Sequence, residues 1–453
     1  METKKLKGWQ KIGYGLGDFG GNITYTAISA FVLVYCTNVL GLSAAVIGTL
    51  IMLSKFLDGI SDMIMGVIID RTRSKAGKAR FWVMVSAIPM AVTTFLLFNI
   101  PGSFTENTKY VYFFIVYLLM SAVFYTMSNI AYSAMVALVT KDPQDQVSLY
   151  SMRMIFAMVG VMVFSFATMS GVEAFGGGQQ GWRMMALIYS VIGGICLMLP
   201  AICIKELPQN PAEAAATGAV SSKKVGFWES VKLLLQHKYF LVIFFIYLAN
   251  YLISGLSASG MVYYASYILN NPNLMGFLSL TTYLPIIILL PFVSRLIPKF
   301  KNMRQALLIG SIAAVAGSVL ILAGGWAGFG VLMAGLVVRA IGTLPGSATF
   351  GPLTAISEEN LFLTTGRRIT GMYFSCSSVS QKIGMGLGTA IYGWLLEVSG
   401  FNGMEAVQTV GAISTIRLLY VLPPLIGTVL SVVLYAFLDV EDANNKLMNK
   451  KAV

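Results

Sequence analysis

Residues 43–69 read SAAVIGTLIMLSKFLDGISDMIMGVII, and residues 70–80 read DRTRSKAGKAR. The first stretch is apolar for longer than the about 20 residues that a bilayer crossing needs, yet it carries Lys55, Asp58 and Asp62. The second carries Arg71, Arg73, Lys75, Lys78 and Arg80. A long apolar helix that runs into a short basic loop is a membrane span ending on the cytoplasmic side. The whole chain agrees: of its 453 residues 57% are hydrophobic and only 11% charged, and the mean hydropathy is +0.76. A soluble domain carries about 25% charged residues, so a water-soluble enzyme is excluded, and so is a disordered or collagen-like chain. The composition is that of a polytopic membrane protein.

Outward from this span, further apolar segments fall at 12–38, 81–100, 110–139, 149–171, 182–204, 238–269, 274–297, 304–324, 328–352, 369–396 and 410–438. With 43–69 they make twelve predicted spans. The connections are short except 205–237, which holds Pro208, Pro211, an Ala/Ser/Gly run and Lys223-Lys224 and reads as a linker with an amphipathic piece at 226–236. The expected organisation is a six-helix bundle over 1–204, a cytoplasmic linker over 205–237, a second bundle over 238–440 and a cytoplasmic tail over 441–453. Of the 31 lysines and arginines, 24 fall at the termini, in the linker and in every second loop; Lys109 lies opposite, with Arg183 at a margin. That asymmetry puts both termini in the cytoplasm. It also accounts for the net charge of +12, so no nucleic-acid partner is expected. Basic loops after spans 2 and 8 sit at equivalent places in the halves, which fits the all-α major-facilitator architecture of two pseudo-symmetric bundles. The cysteines Cys36, Cys196, Cys203 and Cys376 all lie in apolar runs, and His237 is the single histidine. Neither a disulfide framework nor a His/Cys metal site is expected, and no cleavable leader is read at the N-terminus.

An ionised side chain in mid-membrane costs at least about 2.5–3.5 kcal/mol and needs a partner or a task. Asp18, Lys55, Asp58, Asp62, Arg339 and Lys382 stand in spans, with Arg153 near the cytoplasmic end of span 5. Lys55, Asp58 and Asp62 run at i, i+3 and i+7 and so share a helix face with Ser61 beside them. Two carboxylates and a hydroxyl can ligate a small cation, or share a proton because adjacent acids raise one pKa. The competing reading is an internal salt bridge to Lys55, but one lysine cannot neutralise two acids. In span 4, Thr126, Asn129 and Ser133 form a polar stripe, read either as cation and solute contact or as interhelical hydrogen bonding. The glycines of span 1 (Gly13, Gly15, Gly17, Gly20, Gly21) read as close helix packing, with Asn22 facing a cavity. Arg339 calls for an acid from another helix or a bound anion, and Lys382 for a span-2 carboxylate or the solute.

These segments together resemble the glycoside–pentoside–hexuronide:cation symporters, the family of the melibiose and glucuronide permeases. The likeness rests on Lys55-Phe56-Leu57-Asp58-Gly59-Ile60-Ser61-Asp62 leading to Asp70-Arg71-Thr72-Arg73-Ser74-Lys75-Ala76-Gly77-Lys78. Thr365-Gly366-x-Arg368-x-x-Gly371, Lys382-Ile383-Gly384 and Asn129-Ile130-Ala131-Tyr132 follow in family order. The resemblance implies a cation-coupling site at Asp58, Ser61, Asp62 and Thr126, with Asp58 and Asp62 as metal ligands if the ion is sodium. It implies solute positions at Asn22, Asn129, Arg153 and Lys382; Tyr25, Tyr132, Arg339 and Ser378 are added as solute candidates. Gating is expected from Asp70, Arg71 and Arg73 with Glu359 and Arg368. Asn22 and Asn129 stand where melibiose-type members have carboxylates, Ile356 replaces the first acid of the 10–11 loop, and Arg339 is extra.

The expected function is symport of a sugar or glycoside with H+ or Na+ by alternating access, with no other cofactor. Loss of two carboxylates and gain of an arginine favour an anionic solute such as a glucuronide, held by Arg339, Lys382 or Arg153. The other readings are a major-facilitator carrier of lysolipids or drugs, and a non-transporting sensor. An enzyme is not expected, since neither HExxH nor GxSxG occurs. The family likeness implies a monomer in a bacterial cytoplasmic (inner) membrane, with the lipid bilayer as its other partner.

Overall fold

The computed structural model describes residues 5–207, 227–367, 369–405 and 407–451, and among these there is no strand. Fifteen helices follow in chain order: α1 Gly8–Asn38, α2 Ala44–Arg71, α3 Lys78–Leu97, α4 Glu106–Val139, α5 Pro143–Ala174, α6 Gly178–Cys203, α7 Phe227–Gln236, α8 Lys238–Ile268, α9 Leu274–Leu296, α10 Met303–Ala327, α11 Phe329–Thr365, α12 Thr370–Val398, α13 Val410–Val421, α14 Pro423–Ala436 and α15 Val440–Lys451. Eleven stretches among the described residues are long and apolar enough to cross a membrane. The predicted eleventh span is α12, a 29-residue helix that falls outside this set; the polar run Ser375 to Lys382 dilutes its hydropathy. The predicted span 410–438 breaks into α13 and α14 at Leu422, where Pro423 cannot donate to the preceding turn and instead opens a new helix. π-Helical segments interrupt α1 at Ala27–Phe31 and α4 at Leu119–Tyr125 and form the end of α8 at Tyr264–Ile268.

The chain forms two compact units. The first comprises Met1–Leu207, Gly255–Leu280 and Met385–Tyr420. Its helices approach through small residues, as lipid-embedded helices must when no hydrophobic effect drives them together. A Cβ on Gly15 would meet Phe156 at 2.5 Å and one on Gly20 would meet Cys196 at 2.7 Å, so the span-1 glycines do serve close packing. The same device joins α2 to α12 at Gly48, Gly386 and Gly393. At one end of this unit, Glu397 accepts from the Ala44 amide at 2.9 Å and the Trp394 indole donates to Thr49 at 2.9 Å. Nearby, Thr37 and Tyr263 share a hydrogen bond at 2.7 Å, and Asn38 donates to Tyr267 at 2.8 Å.

At the opposite end of α2, the basic loop is closed by Glu206. Its carboxylate accepts the amides of Lys78, Ala79 and Arg80 at 2.7–2.9 Å. These are donors that the start of α3 would otherwise leave bare. Gly77 precedes them at φ 110°, and a Cβ there would lie 2.6 Å from the Glu206 carboxyl carbon. Glu206→Ala should therefore cost about 2 kcal/mol of stability, read as a lower melting temperature in detergent that Glu206→Gln partly restores. An unchanged melting temperature would deny the cap any role.

The second unit comprises Pro208–Ser254, Thr281–Gly384 and Val421–Val453. Here α10 and α11 pack backbone to backbone, with Gly317 against Arg339 and Gly342 against Ala314. The predicted tail folds onto this unit as α15. Asn444 donates to the Ile356 carbonyl at 2.9 Å and accepts from Asn360 at 2.6 Å. Asn360 in turn meets His237 at 3.1 Å. His237 accepts the Phe240 amide on Nδ1, and burial lowers its pKa, so the neutral ring caps the start of α8.

Candidate functional site

Two polar constellations lie inside the first unit. The first gathers around Asp58 of α2, which is 1% exposed. The Lys55 ammonium stands 3.4 Å from Asp58 Oδ2 and 3.0 Å from Ser121 Oγ. Ser121 also reaches Asp58 Oδ2 at 3.2 Å. On the other carboxylate oxygen, Thr126 Oγ1 stands 2.7 Å from Asp58 Oδ1, and the same hydroxyl is 3.1 Å from Asp62 Oδ1. Ser61 Oγ donates to the Asp58 carbonyl at 2.9 Å and lies 3.3 Å from Thr126 Oγ1. A hydroxyl has one hydrogen. Thr126 can donate to only one of the two carboxylates, and its lone pairs face the other. A proton or small cation among these oxygens removes that conflict.

The π-helical turn of α4 builds this arrangement. Residues five apart in an α-helix point about 140° from one another, whereas a π turn closes over about five residues. The turn at Leu119–Tyr125 thus aims Ser121 and Thr126 at the same carboxylate, with the Ser121 carbonyl 3.4 Å from Thr126 Oγ1.

The second constellation joins α1, α4 and α5. Asp18 and Arg153 form an ion pair, with Nε 2.6 Å from Oδ2 and Nη2 3.4 Å from Oδ1. Arg153 Nη1 donates to Ser133 at 3.1 Å, and the guanidinium lies 4.3 Å from the centre of the Tyr132 ring. Tyr132 stacks on Tyr14 at 4.5 Å, and each hydroxyl donates to the other residue's carbonyl. Asn22 donates to the Asp18 carbonyl at 2.8 Å. Asp18, Asn22, Tyr125, Ser128, Asn129 and Tyr132 supply the polar lining of a recess of about 20 Å³, room for a water molecule. Tyr25 connects the constellations: its ring stacks on Tyr125 at 5.6 Å and lies 5.6 Å from the Lys55 ammonium. Its hydroxyl donates to Met385 of α12.

An all-helical membrane chain with paired acids and a polar recess inside one helix cluster is built to carry something across, and comparison with known proteins says what kind. Residues 13–442 match the family described as MFS/sugar transport protein. This chain belongs to that family. The transporter is 29% identical over 98% of its length to the isoprimeverose transporter of Lactiplantibacillus pentosus, 91% of which is covered. It is 27% identical over 98% of its length to a putative glycoside/cation symporter of Escherichia coli (strain K12), with 95% covered. A solved structure of a proton dependent oligopeptide transporter shares the fold, with TM-score 0.68 and 15% identity over 98% of this chain and 100% of the other.

Of the residues that the sequence singled out in the transporter, Asp58, Ser61, Asp62 and Thr126 come together as one oxygen cluster. Asn22, Asn129 and Tyr132 line the recess, and Tyr25 stands between the two. Arg153 is not a vacant anion receptor: a carboxylate already occupies it, that of Asp18. Arg339, Ser378 and Lys382 lie half-buried in the second unit, with Arg339 in electrostatic reach of Tyr283. Among the gating residues, Arg71 and Arg73 are exposed and Glu359 is half-buried beside the buried Glu358. The side chain of Asp70 and the whole of Arg368 lie outside the described residues, as does most of the predicted linker. Sequence reasoning missed Ser121, which no periodicity marks, and the role of Asp18, which was seen as an unexplained charge but not matched to Arg153.

Proposed function

We propose that this sugar transporter is a proton-coupled glycoside symporter. It acts as a monomer in a bacterial cytoplasmic membrane with both termini inside, by alternating access of the halves 1–204 and 238–440. The observation that carries the coupling is the Thr126 hydroxyl held at hydrogen-bond distance from two carboxylates at once. Asp58 and Asp62 bring two carboxylates to one hydroxyl, an arrangement that favours a proton or small cation beside them. The spacings of 2.7 and 3.1 Å between these oxygens suit a shared proton. Cation and solute then favour each other's binding, because coupling free energy is reciprocal. The names of the relatives support a glycoside, and amide and hydroxyl groups such as those of Asn22, Ser128 and Asn129 suit sugar hydroxyls. The test is uptake of radiolabelled glycosides into proteoliposomes under a pH gradient or a sodium gradient imposed separately. Accumulation is expected with the first. Accumulation with sodium alone would replace the proton, and accumulation with neither would overturn symport.

A further inference from the structure

Asp18 carries a charge that the coupling cluster does not use, and it lies against Arg153. We propose that Asp18 is a specificity-determining positioning residue: by holding the Arg153 guanidinium, it makes the transporter select neutral glycosides over their uronide counterparts. The inference rests on the glycoside reading above and adds the charge class of the solute.

Arg153 is bound on three sides. Nε and Nη2 face the two Asp18 oxygens, Nη1 donates to Ser133, and the guanidinium lies against the Tyr132 ring. That ring is itself fixed by its stacking and reciprocal hydrogen bonds with Tyr14. The side chains of Arg153 and Asp18 are 13% and 15% exposed, and Asp18 and Tyr132 both line the recess. A guanidinium has five N–H donors. The three bonds described leave two donors for uncharged hydroxyls, while the Nε/Nη2 fork is already occupied by the Asp18 carboxylate. An incoming uronide would meet the Asp18 carboxylate as a like charge, and discrimination commonly rests on such a repulsive element as much as on attraction. With Asp18 and Arg153 cancelling, the pair and the Ser133, Asn22 and Tyr132 groups around it carry no net charge.

The experiment is counterflow in proteoliposomes with a matched pair of probes, p-nitrophenyl β-glucoside and p-nitrophenyl β-glucuronide, which differ in one carboxylate. Wild type is expected to prefer the glucoside. Asp18→Asn frees the guanidinium and should shift the ratio of apparent affinities toward the glucuronide by about tenfold, the size of one charge-assisted contact. Asp18→Glu should keep the wild-type preference. Arg153→Gln leaves the bare carboxylate and should move the ratio the opposite way, which keeps the test open if Asp18→Asn folds poorly. A purely structural role would lower uptake of both probes together and leave the ratio unmoved in every variant; that result, or a wild type preferring the glucuronide, overturns the inference alone. Exchange of neither probe by wild type overturns the glycoside reading, and this inference with it.

Discussion

Replacing Asp58 with Asn is expected to abolish accumulation of solute against its gradient while leaving exchange down a gradient measurable. In the native cluster Lys55 pairs with Asp58, and the Thr126 hydroxyl stands between Asp58 and Asp62. With Asp58 neutral, the Thr126 hydroxyl faces a single carboxylate and the cluster no longer calls for an ion. The carrier then completes its cycle with solute alone. The check is the internal-to-external solute ratio in proteoliposomes under an imposed pH gradient. It should fall to about unity in the variant, with counterflow retained. Accumulation at the wild-type level would show that the paired acids do not couple transport. Asp62→Asn should behave alike, since Thr126 Oγ1 touches both acids.

Lys55→Met should be the most damaging single change to stability. Asp58 is 1% exposed and takes its charge partner from Lys55 at 3.4 Å. Removing one member of a buried pair strands the other and costs about 3–5 kcal/mol, while replacing both members with uncharged groups is often close to neutral. The double variant Lys55→Met/Asp58→Asn is therefore expected to recover most of the melting temperature lost by the single one. Thermal unfolding in detergent, followed by intrinsic fluorescence, compares the three proteins. Equal stability of the single variant and wild type would mean that Lys55 does not compensate Asp58.

Much of this was readable in the chain. Apolar length gave the spans, and the i, i+3, i+7 spacing put Lys55, Asp58 and Asp62 on one face. What could not be read depends on contacts between distant residues or on departures from 3.6 residues per turn. Ser121 joins the cluster because a π-helical turn rotates it there, and a regular helical period points it elsewhere. Asp18 and Arg153 are 135 residues apart, and two isolated opposite charges do not announce that they meet. Glu206 looks like an ordinary loop acid until three amides of α3 are seen to converge on it. The Asp18 partner of Arg153 stayed hidden for the same reason: the local sequence showed the cation and not the acid it meets.

The four hydrogen bonds at the far end of the first unit link α1 and α2 to α8 and α12. At about 0.5–1.5 kcal/mol net each, they amount to roughly 2–6 kcal/mol. One elementary charge falling through 100 mV releases about 2.3 kcal/mol. Were these helices to part during turnover, the passage of very few ions would suffice to break bonds of that total strength. Turnover speed and leak-tightness would then be tuned together by side chains that never touch the cargo.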